Sequence, residues 1–288
     1  MTIKDYKCTP DPGIAPNLIK NLDADITFPE AYLERKSMAK LSKAIKEASG
    51  SEFCVLPFCH TLEGEALGGI VNYGNEITGP RAKEFICKSP EEVLLLTDID
   101  FSKGRIRETL EAAEILTSKG EEVLLEISGP FTILNVLMDF SRVARTLRKN
   151  RPLMKEIYWK LGNQVLAFVE EAVKKGVTLF SYADSSGGVN ILGPKFMEQV
   201  VEDFTFDFVK KLRSLLSGKG TLILCPKTTF ALLGAEKAEL INRPVPPGMT
   251  YGKACVISRG EIGILGQRCI KDRGFILKNG LLKEVVLK

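Results

Sequence analysis

Four short stretches of this chain gather side chains able to exchange protons, hold a metal ion or grip a polar ligand. The first is Cys59-His60, followed by Glu63 and Glu65. His60 is the one histidine of the chain, and imidazole is the side chain whose proton exchanges most readily near neutral pH. A lone histidine also serves as a hydrogen-bonded structural residue, so His60 stands between catalysis and support. Glu63 and Glu65, two residues apart, cannot share one helix face, and Glu63 is taken as the one facing the site. The second stretch is Ser128-Gly129-Pro130 with Thr132, where Gly129 lets a ligand approach the backbone closely. Third, Asp184 follows Tyr182 and opens the loop Ser185-Ser186-Gly187-Gly188. Such a loop fixes a polar ligand through side chains and free amides, or simply caps the next helix. The fourth is Cys225 with Lys227 and Thr228, to which Gln267, Arg268 and Cys269 are added from further along the chain. Thiols are ligands for borderline-soft zinc or small buried fillers.

These stretches share a position. Each follows an apolar run of strand length: Glu52 to Phe58, Val123 to Ile127, Val177 to Tyr182, Thr221 to Leu224. Runs of that kind, without polar alternation, suit strands covered on both faces. Helical spacing fills the intervals. Residues 30 to 48 place Tyr32, Leu33, Met38, Leu41 and Ile45 on one side and stop at Gly50; Gly104 to Lys119 stops at Gly120. Two long helices, Pro152 to Lys175 and Pro194 to Leu216, each have proline near the first turn and glycine past the end. Strand, polar loop and helix in repetition predict a parallel α/β fold of the (β/α)8 TIM-type barrel class, in which the loops after the strands converge on one mouth. Five to seven strands are credible, so the barrel is expected to be trimmed. After about residue 240 the prolines 244, 246 and 247 and Gly248 make a turn-rich bridge, followed by the short runs Ala254 to Ile257 and Ile262 to Leu265 and a tail ending at Leu287.

Composition sets outer bounds. Of 288 residues, 44% are hydrophobic and 26% charged, a balance that fills a single globular domain across 1–288, with 1–29 as an irregular N-terminal arm. The net charge of +4 is spread along the chain, which argues against a nucleic-acid partner. The basic stretch Arg142 to Arg151 reads as a solvated surface. No apolar run has the length of a signal or a membrane span, and the odd set of seven cysteines suits reduced thiols in the cytoplasm.

Several motifs together resemble the uroporphyrinogen decarboxylase superfamily, and within it the corrinoid-dependent methyltransferases of the methylcobamide:coenzyme M type. They are Pro57-Phe-Cys-His-Thr-Leu-Glu-Gly-Glu-Ala-Leu-Gly68, Ile127-Ser-Gly-Pro-Phe-Thr-Ile133, Ala183-Asp-Ser-Ser-Gly-Gly188 with Gly193-Pro-Lys-Phe196, and Leu222-Ile-Leu-Cys-Pro-Lys-Thr228. They run in family order across about residues 30 to 235. The arginine-rich segment that holds the acidic porphyrinogen in the decarboxylases is missing near the N-terminus, which disfavours that substrate.

The resemblance implies methyl transfer between a corrinoid carried by a partner protein and a thiol or similar small acceptor. It also implies a zinc ion that activates the thiolate, held by a His-x-Cys pair and a C-terminal Cys. Cys225 and Cys269 match the two sulfurs, but Ile223 occupies the histidine position. Cys255, His60, Glu63 or Glu65 could complete the site, or the metal has been lost. Asp184, Glu63 and His60 are then the candidate catalytic residues, and Tyr182, Ser185, Ser128, Gly129, Thr132 and Lys227 the candidate substrate contacts. Two alternatives stay open: a metal-free decarboxylase-like enzyme, and a non-catalytic accessory protein that binds a corrinoid or tetrapyrrole. Cys54 and Cys87 are assigned to packing.

Overall fold

The computed structural model of the chain describes residues 3–8 and 26–288. Most of the expected N-terminal arm therefore lies outside the described residues. Its first part, Ile3 to Cys8, runs along a helix at residues 226–234: the Tyr6 ring lies 5.8 Å from Phe230, and Asp5 faces Lys227 at 3.7 Å.

The four apolar runs become strands β1 (Cys54–Leu56), β2 (Val123–Ser128), β3 (Leu179–Ala183) and β4 (Thr221–Leu224). Three more follow: β5 (Ala238–Pro244), β6 (Ile264–Leu265) and β7 (Leu281–Leu287). They form one seven-stranded sheet in the order β1-β2-β3-β4-β6-β7-β5. The first five strands in that order pair in parallel; β7 pairs antiparallel with both β6 and β5. The count is seven rather than the eight of a complete barrel, and no ladder among the described residues joins the two ends, β1 and β5. The parallel α/β core stands as expected, and the compressed C-terminal part is an antiparallel return.

Helices run between the strands: α1 (Arg35–Ser49), α2 (Leu62–Ala66), α3 (Gly104–Thr117), α4 (Pro130–Leu137), α5 (Arg151–Lys174), α6 (Phe206–Leu216), α7 (Pro226–Gly234) and α8 (Tyr251–Ile257). Gly50 ends α1 at φ 61°, a left-handed position that glycine fills without steric cost. The expected helix from Pro194 to Leu216 is present but carries a π turn at Val201–Thr205. That turn brings Phe204 within 5.7 Å of Tyr158 and 4.7 Å of Phe208, ring centre to ring centre. Gly162 of α5 makes room, because a Cβ there would sit 2.6 Å from the Phe204 ring.

Sheet alternation decides which side chains meet. Leu125, Ile127, Phe180, Tyr182, Leu222 and Leu224 belong to the main core under the helices. The opposite, inner face holds Phe53, Leu124, Leu179, Ile223 and Leu265, covered by Tyr251, Ala254 and Cys255 of α8 and by Ile270 and Leu277. Burying each such side chain contributes about 1.5–3 kcal/mol. The segment Ala254 to Ile257, read from sequence as a short run beside Ile262 to Leu265, belongs to the helix α8 because Tyr251, Ala254 and Cys255, at helical spacing, cover the sheet. No helix among the described residues is long and apolar enough to cross a membrane.

Candidate active site

Three strand ends meet where His60, Glu63 and Asp184 lie. Beyond β1 the chain turns through Cys59 and His60 into the short helix α2. A buried guanidinium fixes that turn: Arg105 of α3 donates to Cys59 Sγ at 3.1 Å, to Thr61 Oγ1 at 2.8 Å and to Glu65 Oε2 at 2.6 Å. Tyr73 Oη closes the set with a 2.8 Å bond to Glu65 Oε1. Glu65 therefore answers the Arg105 charge, and Glu63 is left to face the strand ends.

Glu63 is 1% exposed, and its Oε1 accepts the Ser128 amide at 2.7 Å at the end of β2. Burial pushes its carboxyl above the ordinary carboxylate value, opposed by the Ser128 amide and by the nearby His60. Asp184 sits at the end of β3 and reaches the first turn of α4. Its Oδ2 accepts the Phe131 amide at 3.1 Å; its Oδ1 accepts the Thr132 amide at 2.7 Å and Thr132 Oγ1 at 2.9 Å. Burial still lifts Asp184 to about 6, with those three donors and His60 pulling the other way. Gly129 makes the approach possible, since a Cβ there would lie 2.4 Å from Asp184 Cβ and Cγ.

His60 is thus flanked by two carboxyls whose own lone pairs are largely engaged elsewhere. Its Nδ1 is buried and has no hydrogen-bond partner among the described residues. The imidazole also lines a cavity of about 260 Å³ together with Cys59, Phe53, Val55, Leu124 and Glu126. A buried, unpartnered ring nitrogen costs about 1–3 kcal/mol, and such a group at a cavity wall is available to a ligand's proton. The arrangement can take a proton from a small molecule and hold the resulting imidazolium between two acids.

Other expected residues lie outside the cavity of His60, two of them beside Asp184. Tyr182 is buried on the helix side of β3 with its ring 5.3 Å from Phe208, because alternation turns Ser181 and not Tyr182 to the inner face. It does not line the cavity with His60; it borders a small cavity of about 20 Å³ together with Asp184, Lys227 and Thr228. Ser185 is exposed in the turn after Asp184. Lys227 donates to Asn190 Oδ1 at 2.6 Å and faces Asp5, tying α7 to the loop after β3 and to the N-terminal segment. Ser128, Gly129 and Thr132 surround the two carboxyls as backbone donors and spacer.

Among the described residues the expected zinc site lacks its third donor. Burial pushes the Cys225 thiol up to about 11, and neighbouring Cys269 and Cys8 add to it; burial raises Cys269 as well. Ile223 is 1% exposed and packs on the inner face with Leu124 and Leu265. Cys255, one proposed substitute, is fully buried, and Glu63 is engaged by Ser128. Glu65 is held by Arg105, and His60 lines the other cavity. Among the described residues no three His, Cys, Asp or Glu side chains are grouped to hold a metal ion. These side chains do not fit a resident zinc ion. Cys54 and Cys87 are buried in the core, as packing requires.

Sequence reasoning passed over Arg105 and Glu126. The first sits on a helix where arginine is ordinary, and only the fold shows its burial. The second did leave a signal, one acid inside the apolar run Val123-Leu-Leu-Glu-Ile127.

Comparison with known proteins places the chain by family and fold. The sequence profile of the uroporphyrinogen decarboxylase (URO-D) family matches residues 15–237. The methylcobamide:CoM methyltransferase MtaA of Methanosarcina barkeri is 26% identical over 223 residues, spanning 75% of this chain and 66% of that protein. The corresponding MtbA of Methanosarcina acetivorans is 24% identical over 213 residues, spanning 73% and 62%. A solved methyltransferase from Methanosarcina mazei shares the fold with a TM-score of 0.63 at 21% identity, covering 75% of this chain and 65% of that one. The chain spans about two thirds of the length of these relatives.

Proposed function

Because the chain belongs to the uroporphyrinogen decarboxylase family, we propose that it is a methyltransferase that moves a methyl group between a corrinoid on a partner protein and a small thiol, with His60 handling the thiol proton. The observation that carries this reading is the buried, unpartnered Nδ1 of His60 at the cavity wall. The relatives named as methylcobamide:CoM methyltransferases support the methyl donor and the thiol class.

A thiol is a poor nucleophile until it loses its proton. In the proposed step the thiol lies in the cavity, His60 Nδ1 takes the S–H proton, and the sulfur lone pair forms the new S–CH3 bond. The cobalt–carbon bond of the partner's methylated corrinoid breaks, and its electron pair stays with cobalt. Glu63 and Asp184 offset the imidazolium charge, and Ser128, Gly129 and Thr132 hold the two carboxyls in place. No step passes through a zinc ion, for which the donor set among the described residues is incomplete.

The test is methyl transfer from methylcobalamin to a panel of simple thiols, with thioether formation read by mass spectrometry. Transfer that depends on protein and thiol supports the reading. Methylcobalamin left intact with every thiol, by protein that is folded and at high concentration, contradicts it.

A further inference from the structure

Glu126 and Arg273 line the same cavity as His60, at whose wall Glu76 and Lys271 also lie. No ion pair or side-chain hydrogen bond joins Glu126 or Arg273 to another of the described residues, and the Arg273 carbonyl is engaged by the Gly252 amide at 2.8 Å. Glu126 stands in the middle of β2. The register pairs Glu126 with Ser181, Ser181 with Ile223, and Ile223 with Leu265, so the four form one row across the sheet. Ile223 and Leu265 belong to the inner-face cluster, which places Glu126 on that face among apolar neighbours. A half-buried carboxylate in such a setting is costly unless a positive group meets it. Arg273 comes from a different element, the turn after Ile270 that covers the inner face. Its guanidinium does not close onto Glu126, although both border the same space of about 260 Å³.

Among the charged groups of this lining, Glu126 and Arg273 are held apart over an apolar floor of Val55 and Leu124, and the two match a ligand that carries both charges itself. We infer that the cavity takes a zwitterionic thiol, an α-amino acid bearing a sulfhydryl group. Its ammonium meets Glu126, its carboxylate meets Arg273, and its thiol reaches His60. A guanidinium suits a carboxylate because its planar fork donates two parallel hydrogen bonds. The volume suits a molecule of this size, since one water occupies about 30 Å³ of liquid. This inference rests on the methyl-transfer reading above.

The experiment measures binding by calorimetry without corrinoid, for the wild-type chain and for Glu126→Gln, Arg273→Gln and Arg273→Lys. The probes are L-homocysteine (zwitterionic), 2-mercaptoethanol (neutral) and 2-mercaptoethanesulfonate (anionic). L-homocysteine should bind at least about tenfold more tightly than the other two. Glu126→Gln and Arg273→Gln should each weaken that binding by about tenfold and leave 2-mercaptoethanol unchanged, while Arg273→Lys keeps most of it. Equal binding of the three thiols, or binding of L-homocysteine untouched by both Gln variants, overturns the inference. Methyl transfer from methylcobalamin to all three thiols alike also overturns it while leaving methyl transfer standing. Tight, charge-dependent binding of L-homocysteine with no methyl transfer to any thiol overturns the reading beneath it and leaves the cavity's ligand class in place.

Discussion

The Ser128 amide donates to the Glu63 carboxylate at 2.7 Å, joining the end of one strand to the helix that follows its neighbour. Through this bond the turn carrying His60 is held against the end of β2. Removing the acceptor leaves a buried amide without a partner, which costs about 1–3 kcal/mol. Glu63→Ala should therefore lose at least that much stability in urea melts. Glu63→Gln keeps an acceptor for Ser128 and removes a charge that burial disfavours, so it should melt within about 1 kcal/mol of the wild type. Methyl transfer should fall in both, because the imidazolium loses a neighbouring anion.

Gly129 and Asp184 occupy one space between β2 and β3. A Cβ on residue 129 would meet the Asp184 side chain at 2.4 Å, and the strand ends are fixed by their ladder. Gly129→Ala should cost about 1–3 kcal/mol as an overpacked core substitution. In thermal melts it should be less stable than the wild type, and the Asp184→Gly background, which removes the clashing Cβ, should recover part of the loss.

Asp184 also sets a pH dependence. Its carboxyl titrates near 6 in the folded chain, above the ordinary 3.8, chiefly through burial. The unfolded chain then loses this proton at lower pH than the folded one. Asp184 costs nothing below about pH 4, and its penalty grows as pH rises to about 6, where it is complete. The penalty is on the order of 1–3 kcal/mol, with part of the residue's surface still exposed. Urea-derived stability should fall across that interval, and Asp184→Asn should flatten the fall. An equal slope in the variant would contradict the assignment.

The strands that position the site were legible because their apolar runs are buried on both faces: β1, β2, β3 and β4 all lie where those runs are. Their ends pointed to His60, Glu63 and Asp184 as candidates, by the barrel rule together with the family resemblance. β5 was missed, since Ala238–Pro244 is mostly exposed at the end of the sheet and carries Glu239, Asn242 and Arg243. The hairpin of Ile70–Asn72 with Arg81–Glu84 was missed for the same reason. Tyr182, placed at the site by its position in sequence, falls beside Asp184 and Lys227 rather than in the cavity of His60, because a single-residue alternation decides the face and no local signal says which way it falls. Arg105 and Arg273 depend on contacts across distant elements, which spacing does not encode.

The metal expectation has its own test. Ile223 and Cys225 are two apart and so share one face of the chain leaving β4. Protein purified without added zinc should carry well under one equivalent, with the same content in Cys225→Ser. Ile223→His restores the missing donor type on the face of Cys225 and should raise zinc content, measured by elemental analysis. A full equivalent in the wild type that Cys225→Ser abolishes would refute the incomplete donor set.

The central claim is that His60 takes the thiol proton. Glutamine at that position keeps a polar side chain of similar reach but cannot exchange the proton. Single-turnover methyl transfer from methylcobalamin to L-homocysteine, followed across pH 5 to 9, should fall in His60→Gln by a factor of about 10²–10⁴. The variant should melt close to the wild type, because a polar side chain of similar size takes the place of the imidazole. A His60→Gln chain that transfers the methyl group at the wild-type rate, with the same pH profile, would contradict the account.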